Sequence, residues 1–129
     1  MGERRQVIEE YLAAIAHFDA AAALACCTPD MTQTEYPNLL APMTRTRDLA
    51  AMGEGVGAAR ALLVKQSYEI VRLFETGDVA IAEMIWRGEL KPGPLPERMT
   101  AYFAVFFTFR DGLISGQRNY DCFERPEAG

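Results

Sequence analysis

The fold of this chain is decided by residues 99–123, which read MTAYFAVFFTFRDGLISGQRNYDCF. The stretch predicts two long strands, of which the first is rich in aromatic residues, joined by a tight turn at Arg110-Asp111-Gly112. The first strand is apolar on both faces, whereas the second ends in the polar run 118–121. Asp121, a carboxylate at the end of an apolar strand, is either a salt-bridged structural group or a catalytic one.

A second pair of strands precedes this hairpin. Residues 64–75 and 79–90 have strand composition and are separated by Thr76-Gly77-Asp78, which is typical of a turn. Residues 91–98 contain three prolines and one glycine, so they are predicted to form the loop that leads into the last hairpin. The second half of the chain is therefore predicted to be a four-stranded meander.

The first half of the chain is mainly helical. Apolar residues recur at helical spacing in residues 3–18, Asp19 is a suitable N-cap for a second helix to about Cys27, and residues 46–62 predict a third. Between the second and third helices we expect a short strand over 31–36, followed by a loop or irregular edge strand. Helices that precede an antiparallel run are typical of an α+β fold. We therefore predict one domain over residues 1–129, a cone-shaped, curved antiparallel sheet with about three N-terminal helices on its concave side.

Composition argues against several classes of function. The chain has 13 Lys plus Arg, 18 Asp plus Glu and a net charge of −5, and it has no basic block, so nucleic-acid binding is not expected. The longest apolar run is eight residues, which is too short to span a membrane. A cytoplasmic protein with three reduced cysteines is expected, since no leader pattern is present. One His and no Cys-x-x-Cys predict no metal site, and the lack of a glycine-rich phosphate loop predicts no nucleotide cofactor.

Three short signatures occur in a characteristic order. They are Tyr11-Leu12-Ala13-Ala14 before Phe18-Asp19, then Thr34-Glu35-Tyr36-Pro37, and then Phe109–Ile114 running into Arg118-Asn119-Tyr120-Asp121. With them the chain resembles the nuclear-transport-factor-2-like superfamily, and within it the SnoaL-like group, over nearly its whole length. That superfamily includes ketosteroid isomerases, polyketide cyclases, scytalone dehydratase, limonene-epoxide hydrolases and non-catalytic binding domains, so the fold does not decide the function.

The polar residues are most similar to those of the limonene-epoxide hydrolases. Tyr36-Pro37-Asn38, Arg87-Gly88-Glu89 and Asp121 follow that family's order, with Glu89 in place of Asp. The resemblance implies that Asp121, Arg87 and Glu89 are catalytic and that Tyr36 and Asn38 hold the substrate or a water. SnoaL-like cyclases use an acidic group late in the last strand, which also implicates Asp121.

The match to ketosteroid isomerases is poorer. Tyr11 corresponds to the tyrosine of their first helix, although a core tyrosine with a bonded hydroxyl is the alternative. Tyr36 stands where the base is expected, with Glu35 adjacent and facing the other way, and Val105 replaces the oxyanion-hole aspartate. Isomerase chemistry by that mechanism is therefore not expected.

Strand alternation groups the candidate residues. Arg87 and Glu89 share one face of their strand, and Asn119 and Asp121 share one face of the last strand. If those faces coincide, a guanidinium lies between two carboxylates, lowers the pKa of one and supports acid/base catalysis. The alternative is a surface salt bridge. Trp86 is a further candidate for substrate binding, but it points to the convex side if Arg87 points into the pocket.

These observations lead to two hypotheses. The first is an enzyme that uses general acid/base chemistry on a small apolar substrate in a conical pocket, of the epoxide-hydrolase or polyketide-cyclase type. The second is a non-catalytic module that binds a hydrophobic ligand or serves dimerisation. A homodimer through the sheet is expected in either case, because residues 101–109 are apolar on both faces and the convex face needs cover.

Overall fold

Three helices and six strands are formed by residues 2–125, the part of the chain that this computed structural model describes. The elements are α1 (Glu3–Ala16), α2 (Ala20–Ala25), β1 (Cys27–Glu35), β2 (Arg45–Asp48), α3 (Leu49–Ala58), a 3₁₀ turn (Ala59–Ala61), β3 (Leu63–Thr76), β4 (Val79–Leu90), β5 (Arg98–Arg110) and β6 (Leu113–Phe123). The predicted α+β architecture, with three helices before four long strands, is confirmed.

The six strands form one curved sheet in the order β2-β1-β6-β5-β4-β3. The sheet is mixed, which corrects the expectation of an entirely antiparallel one. β1 pairs in parallel with β6, and the other four neighbouring pairs are antiparallel. The sequence does not reveal this pairing, because the two strands are separated by most of the chain.

The start of the third helix also differs from the prediction. Residues 45–48 form β2, an edge strand that pairs with β1, so α3 begins only at Leu49. The N-cap is Asp48, whose carboxylate accepts the Ala51 N–H at 2.9 Å. Asp19 caps α2 as predicted, accepting the Ala22 N–H at 3.1 Å.

The β5–β6 hairpin closes through the predicted tight turn. Asp111 and Gly112 both have positive φ, 53° and 78°, as a type I′ turn requires. Beyond the turn, a bulge between Thr108 and Phe109 shifts the register of the hairpin by one residue, so that Phe103 lies opposite Asp121 and Val105 opposite Asn119. The turn and the bulge together determine which apolar side chains lie opposite the polar end of β6.

The core lies between the concave face of the sheet and the helices. In β4 the even-numbered residues are buried, and α1 contributes fully buried Ile8 and Tyr11. The odd-numbered residues of β4 lie on the opposite, convex face. Within residues 2–125, no helix has the length and hydrophobicity needed to cross a membrane.

Candidate functional site

A cavity of about 210 Å³ lies between the concave face of the sheet, α1 and α3. One part of its wall is apolar and aromatic, with Met84, Trp86, Phe103, Val105 and Phe123. The other part is polar, with Gln33, Glu35, Arg47, Tyr68, Gln117, Asn119 and Asp121. An apolar cavity with a few converging polar groups is the usual form of a small-molecule site, and this volume is below the range of about 300–1,000 Å³ found for drug-sized ligands.

Strand register brings the polar groups together. Gln117, Asn119 and Asp121 alternate along β6 and all face the cavity. The parallel pairing with β1 places Glu35 directly opposite Asn119, so the Glu35 and Asp121 carboxyls meet on neighbouring strands. On the other side of β1, Glu35 lies opposite Arg45 of β2.

Asp121 is held in an unusual environment for a carboxylate. Its Oδ1 atom is shielded from solvent and has no hydrogen-bond partner within residues 2–125. Burial raises the pKa of Asp121 from 3.8 to about 7, and the charge of Glu35 and a hydrogen bond with its carboxyl add to the effect. Asp121 therefore changes protonation near neutral pH, where a group can serve as both acid and base.

Glu35 is tied to the edge of the sheet by Arg45. The Arg45 guanidinium donates to Oε1 of Glu35 in an ion pair. This bond fixes the position of Glu35 beside Asp121. The expectation that Glu35 faces away from the pocket is wrong, since β1 alternates so that Gln33 and Glu35 line the cavity.

A chain of hydrogen bonds orients the amide groups of β6. The fully buried Tyr11 hydroxyl donates to Oε1 of Gln117 at 2.7 Å, and Nε2 of Gln117 donates to Oδ1 of Asn119 at 2.8 Å. The side-chain N–H groups of Asn119 take no part in these hydrogen bonds. Tyr11 thus has the bonded hydroxyl expected of a core tyrosine, and it also lines the cavity.

Two aromatic side chains complete the wall near Asp121. Tyr68 is half-buried beside Asp121, and its pKa is raised by desolvation and by the charge of that carboxylate. No hydrogen bond of its hydroxyl is found in the part of the chain described. Trp86 faces inward, where its Nε1–H donates to Oε1 of Gln66 at 2.9 Å, and Gln66 in turn donates to the Ile15 carbonyl at 2.9 Å.

The structure does not bring Arg87 and Glu89 to Asp121, so the predicted convergence of the three is wrong. Arg87 pairs with Glu69 at 2.9 Å and Glu89 pairs with Lys65 at 3.5 Å, and none of these four residues lines the cavity. Burial of the large apolar indole of Trp86 decides the face, because alternation then turns its neighbour Arg87 to the convex side.

Gly88 also explains why Trp86, and not Arg87, lies on the concave face. A Cβ atom built on Gly88 would lie 2.4 Å from Cη2 of Trp86, so the indole lies against bare backbone at that position. The glycine between Arg87 and Glu89, which formed part of their motif, therefore serves to seat Trp86 on the concave face.

Tyr36 and Asn38 also lie outside the cavity. The Tyr36 ring stacks on that of Tyr120 with centroids 4.7 Å apart. Asn38 closes a turn of the following loop, where its Oδ1 accepts the Leu40 and Ala41 N–H groups at 2.9 and 3.1 Å. Their proposed role of holding substrate or water has no support in this geometry.

Of the eight candidate site residues, the cavity contains four: Tyr11, Trp86, Asn119 and Asp121. Sequence reasoning missed the cavity positions of Glu35, Arg47 and Tyr68. Alternation alone could place Tyr68 and Glu35 on a face, but not identify which face. Arg47 gave no signal, because it lay in a segment predicted to be helical. Within residues 2–125, no three His, Cys, Asp or Glu side chains form a group that could hold a metal ion.

Comparisons with known proteins identify the fold. The model of a family described as the SnoaL-like domain matches residues 8–117. Comparison with curated protein sequences gave no match.

Several solved structures are similar over most of the chain. IdmH, a putative polyketide cyclase from Streptomyces antibioticus, is 16% identical, with 92% of this chain and 91% of that chain covered and a TM-score of 0.75. An LEH-like epoxide hydrolase from M. tuberculosis is 21% identical, with 95% and 83% covered and a TM-score of 0.69. AclR, a putative hydroxylase from Streptomyces galilaeus, is 14% identical, with 94% and 76% covered and a TM-score of 0.76. Likeness at these identities shows a shared fold.

Proposed function

We propose that this chain, which belongs to the SnoaL-like domain family, is an enzyme that performs general acid/base catalysis on a small, largely apolar carbonyl compound. The observation that carries the proposal is the Asp121 carboxyl, which lies in an apolar cavity with its Oδ1 unpaired within residues 2–125 and with Glu35 beside it. A buried carboxyl pair that shares a proton is a common arrangement for acid/base catalysis.

The proposed reaction is an aldol-type ring closure of the kind that a polyketide cyclase performs. Asp121 removes a proton from the carbon next to a carbonyl group, and the electrons of the C–H bond move to the carbonyl oxygen to form an enolate. The Tyr68 hydroxyl and the Asn119 amide donate hydrogen bonds to that oxygen. The enolate carbon then attacks a second carbonyl of the substrate, and Asp121 returns its proton to the alkoxide that forms.

Epoxide hydrolysis is less well supported than cyclase chemistry. It was suggested by Tyr36, Asn38, Arg87 and Glu89, and all four lie outside the cavity. Only Asp121 remains of that residue set. Removal of a proton from carbon needs one carboxyl group and one group that donates a hydrogen bond to the enolate oxygen. The cavity contains residues of both kinds.

The test uses 5-nitrobenzisoxazole, a probe whose ring opens when a base removes its single C–H proton. The C–H electrons form the nitrile, the N–O bond breaks, and the coloured phenolate is released. We expect the wild type to catalyse this reaction and Asp121→Asn to lower the rate at least about 100-fold, the usual size of a general-base effect. Arg87→Gln is the matched control, since Arg87 is a charged residue of the convex face.

The alternative of a non-catalytic binding module makes a different prediction for the same samples. Trp86 is the only tryptophan and lines the cavity, so its fluorescence reports binding of the probe independently of turnover. Binding without turnover, or equal rates for wild type and Asp121→Asn, would favour the binding module.

We also propose a homodimer formed through the convex face of the sheet. Tyr102 and Tyr120 are 45% and 44% exposed there, and Phe106 lies against Tyr120 with ring centroids 5.7 Å apart. An exposed apolar patch of this kind marks an association surface. Sedimentation velocity should give a dimer for the wild type and a monomer for Tyr102→Glu, whereas a monomeric wild type would contradict the proposal.

A further inference from the structure

We propose that Arg47 forms an anion-binding subsite in the cavity and that the carbonyl substrate also carries a carboxylate on a small aryl or alkyl body, by which Arg47 binds it. The inference rests on the proposed function, because both place the ligand in the same cavity. It adds the chemical class of the ligand and the group that orients it.

The first support is the contrast between the two arginines of β2. Arg45 pairs with Glu35, its neighbour across the strand pair. Arg47 lies opposite Gln33, lines the cavity and is half-buried, yet it has no ion pair and no side-chain hydrogen bond within residues 2–125. The N–H donors of the guanidinium that do not face α3 are therefore available to a ligand.

The second support is the seat of the guanidinium on α3. A Cβ atom built on Gly55 would lie 2.9 Å from Nη1 of Arg47, so the guanidinium lies against the α3 backbone at a glycine. Such packing restricts the Arg47 side chain before any ligand arrives. A restricted fork of donors loses less entropy when it binds a planar carboxylate by two hydrogen bonds.

The third support is the local charge. Burial lowers the pKa of Arg47, and the neighbouring Arg45 adds to this effect, whereas Glu35 and Tyr11 oppose it. Since Glu35 is already paired with Arg45, Arg47 is a partly desolvated cation that has no ion pair of its own within residues 2–125. A partly buried charge is costly unless it is paired, and an anionic ligand would supply the partner.

The apolar wall indicates the rest of the ligand. Trp86, Phe103 and Phe123 contact one another, with ring centroids 5.9–6.3 Å apart, and all three line the cavity. An aryl or alkyl body would pack against these rings while its carboxylate binds Arg47. The volume of about 210 Å³ restricts that body to a small one.

The experiment compares two probes of the same shape by Trp86 fluorescence, 3-phenylpropanoate and 3-phenylpropanamide. For the wild type we expect the carboxylate to bind at least about tenfold more tightly than the amide. A charge-assisted hydrogen bond from Arg47 to the carboxylate contributes an affinity gain of this size. Arg47→Gln should lose this preference and keep the affinity for the amide, which also shows that the variant is folded. Arg72→Gln is the control, because Arg72 pairs with Glu83 away from the cavity.

Gly55→Ala tests the seat independently of the charge. The added methyl group should displace the guanidinium and weaken carboxylate binding while leaving amide binding nearly unchanged. The proposal is overturned if the wild type binds both probes equally, binds neither at millimolar concentration, or retains its preference in Arg47→Gln. Failure here is distinguishable from failure of the proposed function, because Asp121→Asn affects turnover of the benzisoxazole and should keep the preference for the carboxylate.

Discussion

Replacement of Asp121 by Asn should stabilise the fold at neutral and alkaline pH while it removes activity. The pKa of Asp121 is raised in the folded protein from 3.8 to about 7, so the folded state retains a proton that the unfolded chain has already released. Wild-type stability therefore decreases as the pH rises from about 4 to about 7 and levels off above that. Asn cannot ionise, so the variant does not undergo this loss.

The size of the effect follows from the two pKa values. The difference between 3.8 and about 7, at about 1.4 kcal/mol for each pH unit, corresponds to about 4 kcal/mol. Solvent that reaches the partly open cavity screens the carboxylate, so we expect the measured gain to be about 2–4 kcal/mol. Below pH 4 the wild-type carboxyl is protonated and close in shape to an amide, and the two proteins should then differ little.

The assay is urea denaturation of both proteins at several pH values from 4 to 9, with the free energy of unfolding extrapolated to water. Glu83→Gln is a matched control, because Glu83 is an exposed carboxylate that pairs with Arg72 at 3.6 Å. A stability difference between Asp121→Asn and wild type that stays constant with pH would refute the reasoning, since it would mean that Asp121 ionises normally in the folded state.

Three other predictions concern the groups around this carboxyl. The benzisoxazole rate should rise with pH and level off above about 7, and Glu35→Gln should move that midpoint to lower pH, because Glu35 contributes to the raised pKa of Asp121; an unmoved midpoint would contradict this. Tyr11→Phe should cost about 1–3 kcal/mol in urea denaturation, because its glutamine acceptor is left buried without a donor; an unchanged midpoint would show that the bond contributes nothing. Gly88→Ala should shift the emission of Trp86 and destabilise by about 1–3 kcal/mol, since the new methyl group would overlap the indole; an unchanged spectrum would count against this packing.

Local signals account for what the sequence predicted well. The β4 strand, for example, was predicted with the bounds that the structure has, and the turn at Asp111 and Gly112 needs the positive φ values that those two residues adopt most readily. Alternation correctly grouped Asn119 with Asp121 and Arg87 with Glu89. It relates residues within one strand, so it could not say that the two groups face opposite sides of the sheet.

The sequence by itself therefore determined the α+β fold, the order of the long strands and the grouping of residues on each strand, because these depend on neighbours in the chain. Only the tertiary structure decided the membership of the cavity. The parallel pairing of β1 with β6 brings Glu35 to Asp121, and the short edge strand β2 brings Arg47 into the same wall. The raised pKa of Asp121 is likewise a tertiary property, because desolvation and the charge of Glu35 exist only once residues from both ends of the chain are packed together.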